Sequence, residues 1–145
     1  MKKILILGAG TAGTIMANRL AKLSSKVKEE IQLTIVDPDP VHVYQPGLLF
    51  VPFGSYSVSD IIKPKSRLIS RKVRYIESEV ESVLPDTKCV SLKNGSKEYY
   101  DILIVATGVK LLPEETEGLT GPGWKENRFD FYTVDGASAL HNALD

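Results

Sequence analysis

The apolar and polar positions of the chain alternate between strand and helix patterns from the first residues. Lys3 to Leu7 (KILIL) is β-prone, apolar after its lysine and closed by Gly8, the pattern of a strand covered on both faces. Thr11 to Leu23 follows, with Ile15, Met16, Leu20 and Leu23 near helical spacing, which predicts a helix packed through those four side chains. Ile31 to Val36 (IQLTIV) reads as a second strand, so the first segments form a βαβ unit. From Asp37 to Ser57 the period is lost: prolines mix with aromatic and aliphatic residues in a long loop. Val58 to Ser70 reads as a short helix broken at Pro64, and Val73 to Ile76 as a third strand. Glu77 to Leu84, Lys88 to Leu92 and Lys97 to Asp101 are three short segments. The last two are joined by Asn94-Gly95, a strong hairpin signal, and together the three predict an antiparallel meander. Ile102 to Ala106 returns as a buried strand ending at Thr107-Gly108. Val109 to Arg128 is loop-like, Phe129 to Tyr132 reads as a last strand, and Thr133 as the N-cap of a helix with Asp135 in its first turn.

Composition narrows the function classes. The 145 residues fit one domain, spanning 1–145, and the 18 basic and 18 acidic residues cancel, so no electrostatic footprint for nucleic acid is present. The basic start MKKILIL has too short an apolar run for a secretory signal, and no apolar run approaches the ~20 residues of a membrane span. The expectation is a mature N-terminus without a transmembrane segment. The single cysteine, Cys89, excludes an intrachain disulfide and a Cys-rich metal site, and reads as a small buried hydrophobe. His42 reads as a solvated loop residue and His141 as a surface one. The helical pattern ASALHNALD stops at the last residue, which suggests a piece of a longer protein.

Chemistry enters with Gly8-x-Gly10-x-x-Gly13. The motif alone is weak, but here it follows a strand, opens a helix and lies inside a βαβ unit. Gly8 suits the tight turn, Gly10 the close approach of backbone to a pyrophosphate, and Gly13 the packing of helix on sheet. The helix start, with Thr11 and Ala12, presents N–H groups to the phosphates. Asp37 ends the second strand at about the separation expected of an acid bonding ribose hydroxyls, and disfavours a 2′-phosphorylated nucleotide by charge repulsion.

The segment YYDILIVATG, an acid, an apolar strand and Ala106-Thr107-Gly108, resembles the second flavin-contacting motif of the two-dinucleotide-binding-domain flavoproteins, the pyridine nucleotide-disulfide oxidoreductase superfamily. The first dinucleotide domain of that superfamily is split by a three-stranded meander, as read here. The resemblance implies an α/β, Rossmann-like fold, with the meander inserted before the returning strand of a parallel sheet, and FAD rather than NAD as the cofactor. The superfamily's disulfide reductases carry a cysteine pair after the second strand, and this chain has none. VYQPGLLFVPFG, Val43 to Gly54, and TVDGASAL resemble segments of the sulfide:quinone oxidoreductases.

That resemblance implies that Gly8, Gly10, Thr11, Ala12, Gly13, Asp37 and Pro38 hold the dinucleotide. Gln45 and Pro46 would lie near the isoalloxazine ring, Val80 would contact the adenine through its backbone, and Ala106, Thr107 and Gly108 would line the cofactor. The family oxidises sulfide at a cysteine-derived polysulfide and passes two electrons through FAD to quinone. Tyr132 stands where many members have a cysteine, so no catalytic residue is expected in this chain, and the redox cysteines would lie beyond Asp145. The whole enzyme would be cytoplasmic or peripheral to a membrane through a further C-terminal part, with a homo-oligomer allowed. Two alternatives remain open: a type II NADH:quinone dehydrogenase, with the same FAD domain and a hydride donor, and an isolated nucleotide-binding module without catalysis.

Overall fold

The computed structural model describes residues 1–145. Strand β1, Lys2–Leu7, runs parallel to β2, Ile31–Asp37, and to β9, Ile102–Val105, with Ile6 opposite both Ile35 and Ile104. Strand β5, Val73–Glu77, lies parallel on the far side of β2, giving the order β5-β2-β1-β9. Between β5 and β9 comes the antiparallel meander of β6 (Val80–Leu84), β7 (Cys89–Leu92) and β8 (Lys97–Tyr99). The α/β class and the inserted meander are therefore as the sequence predicts.

Alternation along β1 sorts its side chains between two cores. Ile4 and Ile6 pack with Ala17 and Ala21 of helix α1, Thr11–Ser24, and with Leu33 and Ile35. Leu5 and Leu7 turn to the other face and pack with Val36, Val90 and Leu92 under the meander. A strand covered on both faces needs apolar residues at every position, and Ile4 to Leu7 are all buried. Cys89 is buried in the meander, as a small hydrophobe would be.

Three expectations change. Helix α1 does not pack through Ile15, Met16, Leu20 and Leu23. Its buried residues are Gly13, Thr14, Ala17 and Ala21, while Ile15, Met16 and Leu23 are exposed and Leu20 is half-buried. Small residues at fourfold spacing make a flat stripe that lets the helix axis approach the sheet, and bulky side chains there would hold it off. Strand β9 is not fully buried: Ile102 is 45% and Val105 66% exposed, because β9 is an outer strand of the sheet. Phe129 to Tyr132 is not a strand. The Asp130 carboxylate accepts from the N–H of Tyr132 (3.1 Å) and from the N–H and Oγ1 of Thr133 (both 2.9 Å), which folds the stretch into a helix entry. Thr133 then caps α4, Val134–Leu144, accepting from the Gly136 N–H at 2.9 Å, with Asp135 in the first turn as predicted.

The chain divides into two compact units, one of Met1–His42 with Pro64–Gly108, the other of Val43–Lys63 with Val109–Asp145. The long apolar loop is more ordered than its sequence suggests. It contains β3, Val41–Val43, and a 3-10 turn at Gln45–Leu49, and is followed by α2 (Val58–Ile61), β4 (Ile62–Pro64) and α3 (Lys65–Leu68). Pro64 breaks the predicted helix into two single turns around β4, which pairs with β3. The second unit has its own core of Leu48, Val51, Ile61 and Ala137, bordered by Val43, Val58 and Val134. Gly47 is required there: a Cβ would stand 2.3 Å from the Ile61 Cγ2. No helix is long and apolar enough to cross a membrane.

The small-residue stripe generates a test. Ala17→Leu, which adds the side chain that the apolar pattern of the helix would favour, is expected to destabilise the protein by about 1–3 kcal/mol through overpacking against β1 and β2. Urea unfolding measures it; unchanged stability would mean that α1 does not pack as described.

Candidate functional site

The strand order reverses at β1: β2 and β5 follow on one side of it, β9 on the other. In open α/β sheets such a switch point, at the carboxyl ends of the strands, is where ligands bind. The glycine motif lies there. Gly8 has φ +96°, and a Cβ on it would stand 2.3 Å from the Ala106 carbonyl oxygen and 2.8 Å from the Thr107 Cα. A Cβ on Gly13 would lie 1.9 Å from the Gly8 carbonyl oxygen. These two glycines are therefore fixed by backbone packing. Gly10 differs: a Cβ there would meet nothing within 4 Å, so its bare Cα faces open space.

Gly10 is also the N-cap of α1, with no side chain capping the helix and no acid in its first turn. The first N–H bonded within the helix is that of Thr14, to the Gly10 carbonyl at 3.0 Å. The N–H groups of Thr11, Ala12 and Gly13 and the positive end of the helix dipole thus face the side that Gly10 leaves open. Free N–H groups at a helix start without a capping side chain make a backbone cradle able to hold an anion. Ala106 and Thr107 reach the same place from β9, since Ala106 donates to the Leu7 carbonyl at 2.7 Å. Gly108 follows with φ +74° and free space around its Cα.

Asp37, at the end of β2, is 9% exposed and bonded from three sides. Its Oδ2 accepts from the Ala9 N–H at 2.6 Å, and its Oδ1 from the Asp39 N–H at 2.9 Å and from the Lys65 Nζ at 2.6 Å. Burial pushes its pKa up, but the bonds from Lys65, Ala9 and Asp39 outweigh it, and the net effect holds the carboxyl below its ordinary 3.8. Tyr75 lies alongside, its hydroxyl donating to the Asp39 backbone carbonyl at 3.2 Å, with the Asp37 carbonyl at 3.5 Å. Burial, followed by the charges of Asp37, Glu77 and Asp39, pushes the phenol up to about 12.

The structure thus brings together Gly8, Gly10, Thr11, Ala12, Gly13, Asp37, Ala106 and Thr107, with Pro38 exposed beside Asp37 and Gly108 next in chain. Val80 opens β6 opposite Leu92, half-buried at the border of the meander core. Gln45 and Pro46 belong to the second unit, exposed in its 3-10 turn. Their segment is split: Leu48 and Val51 are core, whereas Tyr44, Leu49, Phe50 and Phe53 are exposed. Tyr132 is 65% exposed and stacked on Phe131. His42 lies half-buried on β3; the Nδ1 of His141, also half-buried, is 3.3 Å from the Pro52 carbonyl. Sequence reasoning passed over Lys65, which is 5% exposed in the stretch read only as a short helix broken at Pro64. No group of His, Cys, Asp and Glu is placed to hold a metal.

The profile of the pyridine nucleotide-disulphide oxidoreductase family matches residues 2–145. Among curated relatives, the mitochondrial sulfide:quinone oxidoreductase of Dictyostelium discoideum is 32% identical over 117 residues, 81% of this chain and 25% of that protein. The type II NADH:quinone oxidoreductase of Staphylococcus aureus is 30% identical over 145 residues, 99% of this chain and 34% of that protein. The crystal structure of the sulfide:quinone oxidoreductase of Aquifex aeolicus superposes with a TM-score of 0.78 at 25% identity, over 99% of this chain and 32% of that one. This chain spans about a quarter to a third of the length of the relatives it matches. On the match to nearly its whole length, the chain belongs to the pyridine nucleotide-disulphide oxidoreductase family.

Proposed function

We propose that the chain is the FAD-binding part, residues 1–145, of a flavin-dependent oxidoreductase that passes electrons from sulfide to quinone. The observation that carries the cofactor reading is the cradle at the end of β1, where Gly10 alone among the three motif glycines faces open space. The residues fit the group. Thr11, Ala12 and Gly13 would hold the pyrophosphate through their N–H groups, with Gly10 allowing its close approach. Asp37 would accept from the adenosine ribose, Val80 would meet the adenine, and Ala106, Thr107 and Gly108 would line the cofactor. Gln45 and Pro46 would lie toward the ring. FAD, when bound, supplies the two-electron acceptor that joins the donor to quinone.

Sulfide as the donor is supported by the resemblance of Val43 to Gly54 and by the likeness to sulfide:quinone oxidoreductases. The type II NADH:quinone reading has its own support, since that relative is matched along almost the whole chain at nearly equal identity. The redox cysteines of a sulfide enzyme would come from outside this chain, whose one thiol is buried. Because quinones are lipid-soluble, the whole enzyme would work against a membrane surface.

Ionised, Asp37 is an acceptor at both oxygens, and its charge strengthens a bond from a hydroxyl. Its native pKa is lowered relative to the unfolded chain, so the stability it contributes is present above the unfolded value of 3.8 and is lost as pH falls below that through the native value.

Three outcomes follow. Gly10→Ala should leave thermal stability unchanged and weaken FAD binding in a flavin titration, whereas Gly13→Ala should lower both, because its Cβ collides with the Gly8 carbonyl. Equal behaviour of the two variants would remove the cradle. Asp37→Asn leaves the buried Lys65 without its counter-charge and should cost about 3 kcal/mol near neutral pH. That deficit against the wild type should shrink as the pH of urea unfolding drops below 3.8; a deficit independent of pH would contradict the linkage. In the intact protein, sulfide should bleach the flavin absorbance and NADH should not, and the reverse result would transfer the protein to the NADH:quinone class.

A further inference from the structure

Lys65 is a buried lysine for which the fold makes elaborate provision. Its side chain is 6% exposed, and its ammonium bonds one protein group, the Asp37 Oδ1 at 2.6 Å. An ammonium has three N–H donors, so two remain. Asp37 has about four lone-pair positions, of which Ala9, Asp39 and Lys65 take three. Each partner of this ion pair therefore keeps hydrogen-bonding capacity beside the glycine turn, since Ala9 directly precedes Gly10.

The position of Lys65 is set from both ends of its helical turn. Its own N–H donates to the Pro40 carbonyl at 2.8 Å, tying the start of α3 to the loop after β2. At the other end, Asn18 of α1 donates to the Leu68 carbonyl and accepts from the Ser70 N–H, both at 2.8 Å. The turn that carries the charge is thus held by two separate elements, the loop after β2 and helix α1.

We propose that Lys65 is a nucleotide-binding residue, forming with Asp37 a carboxylate–ammonium pair that recognises the vicinal diol of the adenosine ribose. The inference rests on the FAD reading above. A sugar hydroxyl both donates and accepts: one donates to the free lone pair of Asp37, and its neighbour accepts from a free N–H of Lys65. The pair carries no net charge, so it suits a neutral diol better than a phosphate, which the Asp37 carboxylate would repel. The lysine also removes much of the repulsion that an unpaired Asp37 would exert on the nearby pyrophosphate.

The test compares FAD with an analogue whose adenosine lacks both ribose hydroxyls, by titration of the intact apoprotein. The wild type should bind the dideoxy analogue about a hundredfold more weakly, about tenfold for each lost hydrogen bond to a charged group. In Lys65→Met that penalty should shrink by about tenfold, the worth of one such bond, while FAD and the analogue alike lose affinity because Asp37 is left unpaired near the pyrophosphate. Because the comparison is made within each variant, a general loss of stability cancels. Should Lys65→Met not fold, Asp37→Asn and the neutral pair Asp37→Asn/Lys65→Met serve instead: the first should retain part of the discrimination and the second none. Undiminished discrimination in Lys65→Met, or equal discrimination in Asp37→Asn with and without Lys65→Met, overturns the role of Lys65. A wild-type protein that takes up no FAD overturns the reading beneath it.

Discussion

The Asp37 carboxylate joins the parts of the structure on which the site depends. One oxygen holds the Ala9 N–H and so fixes the turn between β1 and α1; the other holds the Asp39 N–H and the Lys65 ammonium. Burying a carboxylate costs several kcal/mol unless it is paired and hydrogen-bonded, and here both conditions are met. The consequence is structural as much as electrostatic. The end of β2, the glycine turn and the start of α3 are drawn to one point by a group that still has a free lone pair.

The small residues of α1 make that convergence attainable. Gly13, Ala17 and Ala21 let the helix lie close against Ile4, Ile6 and Ile35, and Gly13 approaches the Gly8 carbonyl so tightly that no side chain fits. The helix start is thereby held at the end of β1, with its N–H groups turned toward the open face of Gly10. Asn18, on the same helix, reaches α3 and fixes Lys65 from behind. Packing of helix on sheet and placement of a charged side chain are one arrangement, because the same helix provides both.

Much of this was legible in the chain. Continuous apolar runs gave the strands, Asn94-Gly95 gave the hairpin of β7 and β8, and the glycine spacing gave the turn, since each depends on residues near one another in sequence. The parts that were not legible depend on distance or on size. The apolar pattern put Ile15 and Met16 inward because large side chains usually seek the core, but close packing against a sheet rewards the smallest ones. Lys65 gave no signal because its partner lies 28 residues away and its burial depends on Pro40 and Asn18. Phe129 to Tyr132 has the composition of a strand, yet the Asp130 carboxylate offers its N–H groups a nearer partner than any sheet does.

The cradle also explains why relatives with different electron donors match this chain at nearly equal identity. On the proposed reading it would act through backbone N–H groups, an unshielded Gly10 and one carboxylate, groups that carry no electrons themselves. A site built from main chain is indifferent to the donor and tolerates wide variation in side chains, provided the glycines stay where a Cβ would collide. Discrimination between donors has to come from side chains that meet the substrate. In this chain the resemblance puts Tyr132 where a reactive thiol would otherwise stand, and an exposed phenol stacked on Phe131 can shape a pocket but cannot carry sulfur. On the proposed reading, binding the nucleotide and choosing the donor are separable, and these residues would bear chiefly on the first.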